Sequence, residues 1–282
     1  MSEQGPAAAG ADLSALVYGR GLGAHRATYR PYRRPPWSEQ PASAKAPALI
    51  AGGFALLIVV VLAVQAPVFA VFVVVAVAVI AAIRVPRNRR AEARMVGREL
   101  RFYEHGLINI GVGQAGPAVI RWDEASVLQD VTRHLRNGSH THTTYLYKLS
   151  SPDGTQTAVS GIIGGVGGME RPEEWGNAIQ SAVTSAQLPR AAAALGRGET
   201  VAFGDITVGR DGISAQGKYV GWDQLQEIRV KDGYVSLKVA GRWRSLSTTA
   251  VSSIPNYFVF HALAERMHAG HRAAKVSRPG AA

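Results

Sequence analysis

The stretch "VIRWDEASVLQDV" (residues 119–131) is echoed one hundred positions later by "YVGWDQLQEIRV" (219–230). Each runs apolar residues into Trp-Asp, takes a short polar step, and opens a new extended run on an aliphatic residue. The residues upstream repeat as well. "ELRFYEHGLINI" (99–110) and "GDITVGRDGISA" (204–215) both show an alternating run, a polar or acidic pair, then Gly followed by an aliphatic residue. Alternation with period two, punctuated by Gly, Asn and Asp, is the pattern of half-buried β-strands. Gly106 and Gly212 suit tight hairpin turns, where glycine accepts positive φ without a steric penalty. Gly106 lies sixteen positions before Trp122 and Gly212 lies ten before Trp222, the difference being the loop "GVGQAGP" (111–117). A surface loop absorbs such an insertion.

Further strands follow each Trp-Asp: "TTYLYKLS" (143–150) and "TQTAVSG" (155–161), then "GYVSLKVA" (233–240) and "RWRSLST" (242–248). Each copy closes on an amphipathic helix. The first starts at Pro172 with Glu173 and Glu174 in its opening turn, where acids favour the helix dipole. Ile179, Ala182, Val183 and Ala186 share its apolar face, as Phe260, Leu263, Ala264 and Met267 do in the second helix, which starts at Pro255. One apolar face per helix needs a sheet to cover. The expectation is two small antiparallel barrels or sandwiches over 99–188 and 189–268, each capped by one helix, with a disordered tail over 269–282. Trp122 and Trp222 read as core anchors, and Asp123 and Asp223 as caps of the following turns.

From Ala46 to Ile83 no residue carries a charge. One helix of that length would run about 57 Å at 1.5 Å per residue, against a hydrocarbon core of about 30 Å. Gln65-Ala66-Pro67 supplies a break, because proline suits a helix start and damages an interior. The pattern predicts a transmembrane hairpin over 48–64 and 68–83 that turns at Gln65 and Pro67. A single tilted crossing kinked at Pro67, or a hairpin buried in protein, are the alternatives. Basic residues flank both ends, with a cytoplasmic segment over 1–47 and a linker over 84–98 that carries Arg84, Arg87, Arg89, Arg90 and Arg94. By the positive-inside rule both termini lie in the cytoplasm, and the five arginines sit where anionic headgroups attract them.

The net charge of +11 gathers around that block, so it forms no stripe of the kind that tracks nucleic acid. The absence of cysteine excludes disulfide scaffolds, thiolate metal sites and thiol catalysis. Arginine outnumbers lysine twenty-five to six amid abundant Ala, Gly and Val, which suggests a bacterial origin.

A run of strands ending in one helix, with its Gly-aliphatic and Trp-Asp passages, resembles the pleckstrin-homology-like fold. Joined to an apolar hairpin, it is similar to bacterial membrane-associated proteins of that fold and to an actinobacterial membrane family of unknown function. The resemblance implies an α+β protein of the inner membrane, with tandem modules held at the cytoplasmic surface for contact with a protein or a second copy. It also implies a short strand before the hairpin. "YGRGLGAHRATYRP" (18–31) and "LGRGETVAFGDI" (195–206) both carry Gly-Arg-Gly before an alternating stretch, which puts a first strand at about 26–31 and the hairpin inside the first module. Lipid-reading modules place several basic residues around their first hairpin loop, where this chain offers only Lys218.

Two stretches invite chemistry. In "TRHLRNGSHTHTTYLY" (132–147), Asn137-Gly138 is a two-residue hairpin turn. It sets Arg133 opposite His142, puts His140 and His142 on one face, and turns His134 away. A three-residue loop would instead bring His134 opposite His142. The glycine-rich "SGIIGGVGGMERPEEW" (160–175) sits between strand and helix as a phosphate cradle would. It lacks the Lys-Ser/Thr of a P-loop, and acids open the following helix. A ligand or metal sensor, or an enzyme, built on 161–168 and 134–142 is the second reading. The first assigns no catalysis, no cofactor, and no metal beyond the weak candidates His140 and His142.

Overall fold

In the computed structural model the described residues are 6–33, 35, 37–39, 42–65, 68, 71–80, 82–83, 97–111, 116–165, 167–241 and 245–276. They form two compact units, one of residues 32–97 and one joining 1–31 to 98–282. A helix, α1 (Pro6–Gly19), and a strand, β1 (His25–Tyr29), open the larger unit. The smaller unit holds a short 3-10 turn at Trp37–Glu39, the helix α2 (Ala42–Gln65), and a helical run over 71–80.

The expected transmembrane hairpin does not form. α2 is one helix that starts at Ala42, takes in Ser43 and Lys45, and ends at Gln65. Pro67, where the turn is expected, lies outside the described residues, as do the residues on either side of the helical run over 71–80. Among the described residues no helix is long and apolar enough to cross a membrane. The readings as an integral membrane protein, multi-pass and anchored in the inner membrane, are corrected with it. An uncharged run reports what its side chains avoid; it does not set where a helix starts, stops or stays continuous.

The larger unit contains the repeat. β1 pairs antiparallel with β2 (Glu99–Tyr103), Tyr29 opposite Leu100, so 32–97 is an excursion between neighbouring strands. β3 (Gly106–Ile110) and β4 (Ala118–Arg121) complete a four-stranded meander. A second, three-stranded meander follows with β5 (Ser126–Arg136), β6 (Ser139–Ser150) and β7 (Gln156–Ile163), then the helix α3 (Pro172–Gly196). The chain then repeats that order. β8 (Val201–Phe203), β9 (Ile206–Val208), β10 (Gly212–Ala215) and β11 (Lys218–Gly221) form four strands. β12 (Leu225–Lys231), β13 (Tyr234–Val239) and β14 (Ser247–Ala250) form three, and α4 (Tyr257–Val276) closes the copy. Ile179 and Val183 on α3, and Phe260, Leu263 and Ala264 on α4, are buried in one core that spans both copies.

The Trp-Asp echo marks the same joint twice. The Trp122 amide donates to the His105 carbonyl at 3.0 Å, and its indole donates to Tyr103 at 3.2 Å. The Trp222 amide donates to Asp211 at 3.1 Å, and its indole to Gly209 at 3.1 Å. Both rings are buried, so their one polar atom is satisfied inside the core. The glycines before them serve a purpose other than the expected one. Neither Gly106 nor Gly212 has positive φ. Each opens a strand so close to its neighbour that a Cβ would collide with a backbone oxygen, Ile120 O in one copy and Val220 O in the other.

The copies are welded by amides. Asn256, held at φ 50°, precedes α4, and its carbonyl accepts from the Phe260 amide at 3.1 Å. Its own amide nitrogen donates to Val127 O at 2.9 Å, and its Oδ1 accepts from the Val127 amide at 2.8 Å. Its Nδ2 donates to Ala125 O at 2.8 Å and to Gln187 Oε1 at 2.9 Å. Gln187, on α3, donates in turn to Trp122 O and Ala125 O, both at 2.8 Å. Asn256 of the second copy thus pairs the buried backbone edge at the start of β5 much as a further strand would.

Gly106→Ala or Gly212→Ala will cost at least about 2 kcal/mol, because backbone rather than a flexible side chain fills the space. Gly270→Ala on α4, with nothing within 4 Å, will gain up to about 1 kcal/mol. Urea unfolding of the three variants checks this, and equal effects would remove the close-approach argument. Asn256→Gly keeps the left-handed backbone and loses the amide, at a cost of about 1–3 kcal/mol. Asn256→Ala adds about 1 kcal/mol of backbone strain, so the order of denaturation midpoints is wild type, then Gly, then Ala.

Candidate functional site

Among the strands that both copies share, the copies differ most at one hairpin. β5 and β6 turn at Asn137-Gly138, with φ 51° and 77°; β12 and β13 turn at Asp232-Gly233, with φ 51° and 79°. Positive φ at both central residues matches the right-handed twist of the strands, and the turn is the same in both copies. Its distance from the Trp is not: Asn137 lies fifteen positions past Trp122, and Asp232 lies ten past Trp222. The first hairpin therefore projects beyond the sheet as a ribbon. β7 follows β6 only as far as the Thr143–Ile163 pair, so the ribbon is two-stranded beyond it.

The ribbon carries Arg133, His134, Leu135, Arg136, His140 and His142. Leu135 is 64% exposed and Val131 45%. Arg133 and Arg136 form no ion pair among the described residues. The ladder runs Arg136–Ser139 and Leu135–His140 as the tight turn dictates, and then slips, placing His134 opposite His142 and Arg133 opposite Thr143. A β-bulge at Thr141 adds one residue to β6. It splits the expected pair: His140 turns to Thr143 Oγ1 at 2.9 Å, whereas His142 stacks on His134 with centroids 4.2 Å apart and planes 9° apart. The His134 Nε2 lies 3.1 Å from Thr144 Oγ1, and the His142 Nδ1 lies 3.1 Å from Thr141 Oγ1.

The glycine-rich loop packs against the base of this ribbon. A Cβ on Gly164, at φ +79°, would meet the Thr141 carbonyl, and Gly165 lies beside the His142 side chain. The loop then folds back on its own strand, the Met169 amide donating to Ser160 O at 2.7 Å and Gly161 bridging Gly168. Met169 N–H therefore does not point into an open cradle, and a Cβ at Gly161 would strike Pro172. Two stretches singled out separately in the sequence are thus one place in the fold, where the glycines allow close packing.

The remaining residues named from sequence fall as follows. Trp122, Trp222, Gly106 and Gly212 sit at the joints described above. Gln65 ends α2, while Pro67, Arg84, Arg87, Arg89, Arg90 and Arg94 lie outside the described residues. Asp123 holds Arg121 at 3.0 Å, with Arg190 at 3.8 Å. Burial pushes against ionisation there, but the hydrogen bonds and charge of Arg121 prevail and hold the carboxyl below its usual range. In the second copy Gly221 stands in place of Arg121, and the Asp223 carboxylate folds over it. The Trp-Asp acids are therefore not equivalent, although the tryptophans are. Burial pushes the Tyr147 hydroxyl up to about 12, and Gln180 donates to it. No group of three or more His, Cys, Asp or Glu side chains gathers to hold a metal among the described residues. An open groove of about 620 Å³ runs beside α1, lined by Leu13, Val17, Tyr18, His25, Arg101 and Tyr103. Arg101 is already paired with Glu99 at 2.6 Å there.

Sequence reasoning missed Asn256 and Gln187. Their signals are weak but real: an Asn directly before an apolar helix, and a Gln on a helix face two residues ahead of Pro189.

The architecture defines a class: a two-copy β-meander protein, each copy closed by one helix, with one copy elaborated by a basic ribbon. A model of a family of unknown function, DUF6585, matches residues 16–273, and the chain belongs to that family. No curated protein matches the chain, and no solved structure does.

Proposed function

We propose that the chain is a binding protein without chemistry of its own, in which two pleckstrin-homology-like modules are fused into one body and the ribbon of the first grips an acidic segment of a partner protein. The four-plus-three strand order closed by a helix, present twice, supports the module reading. The observation that carries the function is the extra length of the β5–β6 hairpin. The second copy shows that the sheet closes with five fewer residues between Trp and turn, so the ribbon is not needed for packing. Its side chains have the makings of a contact surface: an exposed aliphatic anchor in Leu135, with Arg133 on the same face and Arg136 beside it at the turn. Arginine suits paired recognition of carboxylates, and the acidic occupant follows from that charge. Asp130 at the ribbon's base is turned to Thr132 Oγ1 at 2.7 Å.

A triple variant, Arg133→Glu with Leu135→Asp and Arg136→Glu, separates contact from folding. Its midpoint of unfolding stays within about 0.5 kcal/mol of wild type, as for exposed substitutions away from structural features. Cross-linking in cells compares what each chain captures. Proteins captured by wild type and lost by the variant, through an acidic segment and with weakening at high salt, support the reading. Identical captures from both chains sink it.

A further inference from the structure

The bulge at Thr141 does something the partner-binding reading has no use for, since it aligns two imidazoles across the ribbon. We propose that His134 and His142 form a two-imidazole site for a borderline divalent cation of the Cu²⁺, Zn²⁺ and Ni²⁺ class. Three observations converge on it. The rings are opposite each other and stacked at 4.2 Å, although a regular ladder from the Asn137-Gly138 turn would have put them on opposite faces. Each ring has one nitrogen at a threonine hydroxyl, His134 Nε2 at Thr144 and His142 Nδ1 at Thr141. That leaves Nδ1 of His134 and Nε2 of His142 without a hydrogen bond among the described residues. Partners of this kind on the far nitrogen fix the tautomer and orientation of metal-binding histidines. Finally, Gly164 and Gly165 pack on Thr141 and His142 and hold that side of the pair in place.

Two nitrogens bound to one tetrahedral ion at about 2.0–2.1 Å stand about 3.4 Å apart. Parallel rings hold their nitrogens side by side and not toward one point, so binding turns the imidazoles out of the stack about χ2, a soft torsion for histidine. Imidazole donors select Cu²⁺, Zn²⁺ and Ni²⁺ over Mg²⁺ and Ca²⁺, which require oxygen. Water fills the remaining positions, because no carboxylate joins the pair. His140 takes no part: the bulge turns it to Thr143 on the other face. The ion would tie β5 to β6 at the point where the ladder is interrupted, stiffening the ribbon beyond the three-stranded sheet.

Calorimetric titration of the full chain, stripped of metal, with CuCl₂ and with ZnCl₂ tests the site. It is run near pH 7.5, above the ordinary imidazole value of about 6.5. Wild type takes up one ion per chain, Cu²⁺ more tightly than Zn²⁺, and MgCl₂ gives no heat. His134→Gln and His142→Gln each weaken binding at least about tenfold, while His140→Gln leaves it unchanged. Far-UV circular dichroism confirms that each variant is folded. No uptake by wild type, equal uptake by the His134 and His142 variants, or an equal loss in the His140 variant each overturn the proposal. The partner captures of the arginine and leucine variant do not bear on it, so the two readings fail separately.

Discussion

One carboxamide ties the two copies of the larger unit at their seam. Asn256 sits where the second copy turns into its last helix, in a left-handed conformation that few residues tolerate. From there it faces β5 of the first copy as an extra strand would, giving one hydrogen bond to Val127 and taking one from it. Its remaining protons reach Ala125 and Gln187. A buried backbone edge at this point would otherwise leave donors and acceptors unpaired, at about 1–3 kcal/mol each. The contact lies at the seam of a core that runs through both copies. α3 belongs to the first copy and runs through Pro189 to Gly196, directly ahead of β8. Its Gln187 completes the amide network, so the connector between the copies is also part of their seam.

The repeat provides an internal control on which residues the fold requires. Where both copies keep a feature, packing explains it. The two tryptophans donate to equivalent carbonyls, the two glycines pass equally close to a neighbouring strand, and the two hairpins turn through the same pair of positive-φ residues. Where the copies diverge, packing is silent. Arg121 pairs with Asp123 and also reaches the carbonyls of Arg20 and Gly21, tying the end of α1 to the first copy. The second copy has Gly221 there. Among the strands that both copies share, the lengthened ribbon is the largest such divergence.

The strands and both closing helices are legible in the sequence because period-two and period-3.6 burial leave direct marks on side-chain choice. The reason for Gly106 and Gly212 is not legible. Positive φ and close backbone approach both demand glycine, and only the position of the Ile120 and Val220 oxygens distinguishes them. The ribbon register is half legible. Asn137-Gly138 fixes the first two cross-strand pairs, and nothing in "SHTHTT" announces that Thr141 will bulge. That single slip exchanges which histidines meet. The limits of the apolar block are not legible, because composition does not set geometry: the helix over Ala42–Gln65 starts before the uncharged run and includes Lys45.

A two-stranded ribbon in water is marginal on its own, so its persistence needs a cause. The turn contributes one, since its backbone twist matches that of the strands it joins. The glycine loop contributes another by folding back from β7 onto Thr141 and His142, which gives the two-stranded part a third layer of backbone just where the bulge weakens the ladder. Larger side chains at Gly164 or Gly165 could not approach so closely. The glycine run, which resembles a phosphate cradle in sequence, is thus the support for the ribbon. The stacked histidines lie at the junction between supported and unsupported ladder, where a change in their ligation acts on the whole length beyond.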